Sequence, residues 1–491
     1  MRFLLALLLL AAACSRPAEN RVAAPRIWND RDLAEWALPV AGLNVRPDHF
    51  TEAEYYAGPV AEWVRTYPVY FPGREPAGYW ETIQGKKPEP LLTPGARTEA
   101  EWIEAGARVF EEMDVPVFRN TDPELIKTVR SLEAFQKLGG HPQSDGRVQF
   151  LRWVPTAKGL AISITDCASC HVRTLAGKRQ LGAPFDDPGD GVVGRLASQG
   201  TDLFFGGDSP AMIVWRSFAV PWVPGDVHER LKSMSEKEFG ELSAALPPGV
   251  FARTNGSVFY PTQAPDLAGI KDRKYIDHTA THRLRGPEDI ARYAILVSCC
   301  DSAGFGPHQM LAKEQRKIVY RFTDEIVFAL GKYLFSLEPL PNPVAGGPQA
   351  EAGEAVFKRE GCVGCHTPPS YTNNKLTLAA GFTPPAGHPA AADILPMSVN
   401  TDPNLALRTR KGTGLYKVPS LRGIWRRTLL SHDGSVASLE DWFDPRRLRD
   451  DYVPTGFKGY KVEHRAVPGH EFGLRLSAGD KAALLAFLRS L

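Results

Sequence analysis

The sequence predicts a mainly α chain built as two unequal copies of one helical unit, the first enlarged by long loops and short strands. Three observations lead there. The pattern Cys-x-x-Cys-His occurs twice, at Cys167-Ala168-Ser169-Cys170-His171 and at Cys362-Val363-Gly364-Cys365-His366. Apolar residues recur at helical spacing around both copies. The 41 prolines and 44 glycines call for many turns and long connections between those helices.

At about 100–200 residues per domain, a chain of 491 residues holds two to four domains. Its 43% hydrophobic content allows a sizeable core. The formal net charge of +2 and the lack of any long basic run exclude a nucleic-acid partner.

Residues 1–14 read as an export segment. Arg2 supplies the positive start, Phe3 to Leu10 is an apolar run, and Ala11-Ala12-Ala13 precedes Cys14. The run falls short of the roughly 20 apolar residues that span a bilayer. Small residues before a cysteine resemble a bacterial lipoprotein cleavage site, with Cys14 lipidated. Ser15 would then favour the outer membrane, by resemblance to the sorting rule. Ala11 stands where leucine is usual, and plain cleavage with Cys14 discarded is the other reading. Either way the mature chain is exported to the periplasmic side, and a lipid anchor would be its one membrane contact.

Residues 15–95 form an irregular N-terminal extension rich in proline and aromatics, among them Trp28, Trp36, Trp63 and Trp80. The first unit spans 96–340. It opens on a helix carrying Trp102, Ile103, Gly106, Val109, Phe110 and Met113. A hairpin follows, with one strand over Gln149–Val154 and the other over Gly159–Ile164. The stretch from Val172 to Tyr320 should build a wall of the site, and a helix over Thr323–Leu337 closes the unit. Pro339, Pro341 and Pro343 mark a linker. The second unit, 341–491, is compact. A helix from about Ala350 to Lys358 runs into Cys362, and a last helix over Ser477–Leu491 starts with Ser477 as N-cap and Asp480 three residues on.

Cys-x-x-Cys-His reads as covalent c-type haem attachment. Two thiols three positions apart reach the two vinyl groups of one porphyrin, and the next histidine is delivered beneath the iron. A thioredoxin-like motif needs no following histidine. A zinc site would need a second ligand pair nearby, whereas the copies lie 195 positions apart. The chain is therefore expected to hold two haem c groups. Cys167, Cys170, Cys362 and Cys365 attach them, and His171 and His366 are the iron ligands. The two units then become cytochrome c-type haem domains, in which N- and C-terminal helices cross beside the haem. Of the other cysteines, Cys299 and Cys300 are neighbours, whose Cβ atoms diverge too far for a comfortable disulfide. They read as core thiols or as a redox pair.

Tyr416-Lys417-Val418-Pro419-Ser420-Leu421-Arg422-Gly423, with His432-Asp433-Gly434-Ser435 and Leu439-Glu440, resembles the second-domain signature of bacterial di-haem cytochrome c peroxidases and their MauG-like relatives. The resemblance covers about 96–491. Within that superfamily, five stretches resemble the latex-cleaving rubber oxygenase branch. They are Lys411-Gly412-Thr413-Gly414, Trp442-Phe443-Asp444-Pro445, Asn255-Gly256-Ser257, Thr279-Ala280-Thr281-His282 and Gly469-His470-Glu471-Phe472-Gly473. The resemblance implies a division of labour. The haem at His171 would react with hydrogen peroxide or dioxygen, and the haem at His366 would relay electrons. It also implies a hydrophobic organic substrate in the oxygenase version, and leaves room for a small electron-donor protein.

For the sixth ligand of the second haem, the rubber oxygenase-like branch points to His470 and the peroxidases to Met397. His432 would be structural. Over the first haem, peroxidases place a group that moves a proton between peroxide oxygens, often a glutamate. Glu229, His278 and His282 are the candidates, and each also reads as a surface or hydrogen-bonding residue. Rubber oxygenases keep that pocket mostly apolar. Trp215, Trp222 and Trp425 read as core aromatics, or one of them as a bridge between the haems. A non-catalytic electron-transfer cytochrome is the alternative of a different class. It would need no large elaboration between its haems. A MauG-like enzyme oxidising a partner protein is a third reading.

Overall fold

In the computed structural model, the described residues are 20–137, 143, 145–165, 167–175, 178–184, 209–252, 256–299, 304–311, 316–344 and 346–491. The export segment with Cys14, and also Asn255 and Cys300, lie outside them.

The strand β1 (Tyr67–Tyr70) comes from the N-terminal extension. The helix α1 (Glu99–Glu112) begins with a complete capping box, in which Thr98 caps Glu101 and Glu101 reaches back to Thr98. It buries Trp102, Ala105, Gly106, Val109 and Phe110 on one face. The hairpin β2 (Arg147–Thr156) and β3 (Gly159–Ile164) pairs antiparallel from Leu151↔Ile164 to Thr156↔Gly159. β1 adds to its edge, with Tyr67 opposite Trp153. The extension is thus woven into the first unit rather than laid on it. Trp28 and Trp36 are fully buried in the main core.

α2 (Pro287–Cys299) and α3 (Asp324–Ser336) complete that core against α1. Thr323 caps α3 through the Ile326 N–H. In the second unit, α4 (Pro348–Arg359) ends at Gly361, whose left-handed φ of 76° turns the chain into Cys362. Three short strands follow, β4 (Leu376–Leu378), β5 (Ile394–Ser398) and β6 (Leu415–Lys417). They form a sheet in the order β5-β4-β6, with β4 parallel to β5 and antiparallel to β6. The final helix, α5 (Ala478–Ser490), is capped by the Ser477 side chain on the Asp480 N–H.

The two units repeat one packing. α1 crosses α3, and a β-carbon on Gly106 would overlap the Ala329 carbonyl and sit 2.6 Å from Tyr333 Cβ. α4 crosses α5, and a β-carbon on Gly353 would overlap the Ala483 carbonyl and sit 2.7 Å from Phe487 Cβ. Only glycine lets these helix backbones approach so closely. Each glycine is followed four residues on by a buried phenylalanine, Phe110 or Phe357.

The expectation of a mainly α chain needs correction. Among the described residues helix makes up 35% and strand 16%, so the fold is not clearly mainly α. The second unit is also less minimal than expected, because it carries its own three-stranded sheet. Strands of three to five residues are too short to show alternation against background.

Candidate functional site

The turn after α4 sets the geometry of the second Cys-x-x-Cys-His. The Cys365 N–H and the His366 N–H both donate to the Cys362 carbonyl, at 3.2 and 2.8 Å. This tight turn puts Cys362, Cys365 and His366 on the wall of one cavity of about 550 Å³. His366 Nδ1 donates to the Tyr371 carbonyl at 3.2 Å. A carbonyl can only accept, so Nδ1 carries the proton and Nε2 keeps its lone pair for a metal.

His470 stands across the same cavity. Its ring centre is 6.3 Å from that of His366, with the planes 56° apart. A metal ligated from both faces by imidazole, at about 2 Å per bond and about 1 Å from each nitrogen to its ring centre, would set the centres roughly 6 Å apart. His470 Nδ1 is buried without a hydrogen-bond partner. Burial, then the nearby His366, push its pKa down to about 4, so the ring is neutral at pH 7 and available as a ligand.

The loop carrying His470 is firmly held. The His470 N–H donates to the Val399 carbonyl at 2.7 Å. At Gly469, φ is 81°, and any β-carbon would collide with the backbone of Asn400 and Thr401. Arg447 is fully buried and gives its donors to three carbonyls, Trp442 at 2.8 Å, Val467 at 2.7 Å and His470 at 3.0 Å. Trp442 and Phe472 flank the imidazole at 5.4 and 5.3 Å. Arg447 went unrecognised in the sequence, because Asp-Pro-Arg-Arg reads as a solvated charge run.

Met397, on β5, lines this cavity too and is 37% exposed. His278 also reaches it. Its Nε2 donates to the Gln263 carbonyl at 3.0 Å, and burial pushes its pKa down to about 3. His432 packs on Tyr416 at 4.8 Å, while its carbonyl accepts from the Gln263 N–H at 2.8 Å.

The residues fit a haem c here. Two thiols, a histidine with its Nε2 free, a second neutral histidine opposite and a cavity with mainly apolar walls are what covalent attachment and two axial ligands demand.

The first motif forms one helical turn, Cys167–Cys170. Ala168 and Val172 are buried in the main core beside α1 and α3. The His171 carbonyl accepts from the Gly182 N–H at 2.7 Å. Two residues on, Arg173 donates to the Arg426 carbonyl at 2.7 Å, which ties this segment to the neighbourhood of the second cavity. Of the stretch expected to wall this site, residues 185–208 lie outside the described part.

The three candidate acid–base residues do not converge. Glu229 has half its side-chain surface in solvent. It accepts from Trp215 Nε1 at 3.0 Å and pairs with Lys232 at 2.6 Å, and these contacts hold its carboxyl below the usual range. His282 is buried against Trp36, ring centres 4.1 Å apart. Its Nδ1 meets Thr281 Oγ1 at 2.9 Å, and its Nε2 is buried without a partner beside a cavity of about 30 Å³. His278 belongs to the wall of the large cavity. Trp222 and Trp425 are half-buried, each with an indole N–H lacking a partner. Cys299 Sγ donates to the Ile295 carbonyl within its own helix at 3.5 Å.

No family model and no curated protein matches the chain. Several solved structures overlap with part of it. A hydrazine synthase chain from Kuenenia stuttgartiensis is 14% identical, over 51% of this chain and 79% of its own, with a TM-score of 0.31. A MauG-like protein associated with microbial copper homeostasis is 18% identical, over 52% and 89%, with a TM-score of 0.30. The di-haem peroxidase BthA of Burkholderia thailandensis is 18% identical over 52% and 77%, with a TM-score of 0.25. Overlaps of this extent do not establish a shared fold. Among the described residues, no helix is long and apolar enough to cross a membrane.

Proposed function

We propose that the chain is an exported di-haem c-type oxidoreductase that activates hydrogen peroxide or dioxygen at His171 and relays electrons at His366. The observation that carries this reading is the pair His366 and His470, facing each other across the cavity that also holds Cys362 and Cys365. When bound, a haem would supply single-electron exchange and, at a site with only one protein ligand, reaction with an oxidant. With His366 and His470 both holding the iron, the second site would leave no place for an oxidant and would suit relay. The chemistry then falls to His171, in the unit with the larger elaboration.

The chain's own residues do the positioning. Tyr371 fixes the tautomer of His366. Arg447 and Gly469 fix the loop of His470. Trp442 and Phe472 shield the imidazole from water. By resemblance of the motifs, the oxygenase version would act on a hydrophobic polyisoprene-type substrate. A lipid on Cys14 would hold the protein at the outer membrane, and a small donor protein would supply electrons.

Pyridine haemochrome analysis should give two c-type haems per chain, and one or none would sink the reading. Turnover of hydrogen peroxide with a reduced small donor is expected of the peroxidase version. Aldehyde and ketone products from latex, formed with oxygen uptake, are expected of the oxygenase version. A protein with both haems and neither activity would be an electron carrier.

A further inference from the structure

Three cations gather at one side of the His366–His470 cavity without carboxylate partners. Lys417, at the end of β6, and Arg427 both line that cavity. Arg427 and Lys417 also line an adjoining space of about 40 Å³, where Arg273 joins them. Lys417 Nζ donates to the Tyr275 carbonyl at 3.3 Å, and Arg273 Nη2 to the Ala268 carbonyl at 2.9 Å. Both partners are neutral. The nearby carboxylates are committed elsewhere: Asp266 to Arg426, Asp277 to Lys411 at 3.2 Å, and Asp272 to Arg422 at 3.0 Å. Among the described residues, none of the three cations forms an ion pair.

Burial is the largest influence on all three groups; Asp266 opposes it at both arginines and Asp277 at Lys417, while repulsion from neighbouring arginines adds to it, and the balance holds Lys417 down to about 7 and Arg273 down to about 10. A guanidinium does not shed its proton in a protein. Arg273 and Arg427 are thus two half-buried charges that Asp266, itself paired with Arg426, offsets only in part, and an anion joining them would complete the balance. A haem carries two carboxylates, and guanidinium groups match carboxylates in geometry.

We infer that Arg273, Lys417 and Arg427 form a clamp for the two carboxylates of the haem attached at Cys362 and Cys365. The clamp rests on the reading of this cavity as a haem site. It gives the relay haem a local positive field that favours its reduced form, because the oxidised iron carries one more positive charge. Its position beside Arg426, whose carbonyl accepts from Arg173, sets it next to the segment that follows His171.

The test is a spectroelectrochemical titration of the full holoprotein with Lys417→Gln, Arg427→Gln and Arg427→Lys, preceded by a haem count. The midpoint potential of the His366 haem should fall in both glutamine variants and recover in part with Arg427→Lys. The potential of the His171 haem should move less. Two haems per chain with an unchanged His366 midpoint in every variant would overturn the clamp. So would a wild-type midpoint that shifts on adding inorganic phosphate, because the cations would then hold a free anion. Fewer than two haems in the wild type would instead overturn the haem reading itself. If a glutamine variant fails to fold, Arg427→Lys alone remains decisive, since shortening the fork should lower the midpoint measurably.

Discussion

His470 is useful only if its loop presents the imidazole on the axis of His366, and one side chain does most of that holding. Arg447 spends its guanidinium on three backbone carbonyls, including that of His470 itself. Hydrogen bonds from a charged donor contribute about 1.5–3 kcal/mol each, so Arg447→Gln should destabilise the chain by about 3 kcal/mol, read from denaturant unfolding. It should also broaden or weaken the low-spin signal of the relay haem. A second residue-scale expectation concerns Met397. His470→Ala should convert that haem to a high-spin or methionine-ligated form, and His470→Ala with Met397→Ala should leave it high-spin. An unchanged visible spectrum in the double variant would show that neither residue ligates the iron. The placement of His470 on this cavity, though not its role, was legible in the sequence through its Gly-His-Glu-Phe-Gly setting. Arg447 was not, since nothing in a local sequence shows that an arginine will be enclosed by a distant loop. Glu229, His278 and His282 were read as alternatives for one role. Their chemistry suited an acid–base role, but side-chain type does not reveal that they sit in three different surroundings.

At the scale of elements, the repeated helix crossing explains why two glycines stand on otherwise well-formed helices. Gly106→Ala and Gly353→Ala should each destabilise the chain by about 1–3 kcal/mol, because the added methyl must push a helix backbone away. Thermal unfolding would check this, with Gly240→Ala as the clash-free comparison: nothing lies within 4 Å of its added methyl, and inside the helix Glu236–Ala244 it should stabilise by about 0.5–1 kcal/mol. The long helices were readable because their apolar faces repeat over three turns and their caps are explicit, as at Thr98, Thr323 and Ser477. The hairpin Arg147–Ile164 was readable from its β-rich composition. The sheet β5-β4-β6 was not, because pairing between strands of three to five residues depends on which distant segments meet. Lys417 and Met397 both ride on that sheet, so the walls of the site were as hidden as the sheet itself.

For the whole molecule, the two Cys-x-x-Cys-His segments lie in unlike settings. One follows a hairpin joined by the N-terminal extension, and the other ends a helix that faces a wide cavity closed by the last third of the chain. A hydrogen bond from Arg173 to Arg426 joins the two neighbourhoods through backbone-linked residues. That arrangement suits a molecule in which one haem reacts and the other stores or passes electrons. The most direct test is an electron paramagnetic resonance spectrum of the oxidised holoprotein, beside that of its His470→Ala variant. The wild type should give one high-spin and one low-spin ferric signal, and in the variant the wild-type low-spin signal should be replaced by a high-spin or a methionine-ligated one. Two low-spin signals in the wild type, or a low-spin signal unaltered by His470→Ala, would contradict the assignment of a reactive haem at His171 and a bis-histidine relay haem at His366.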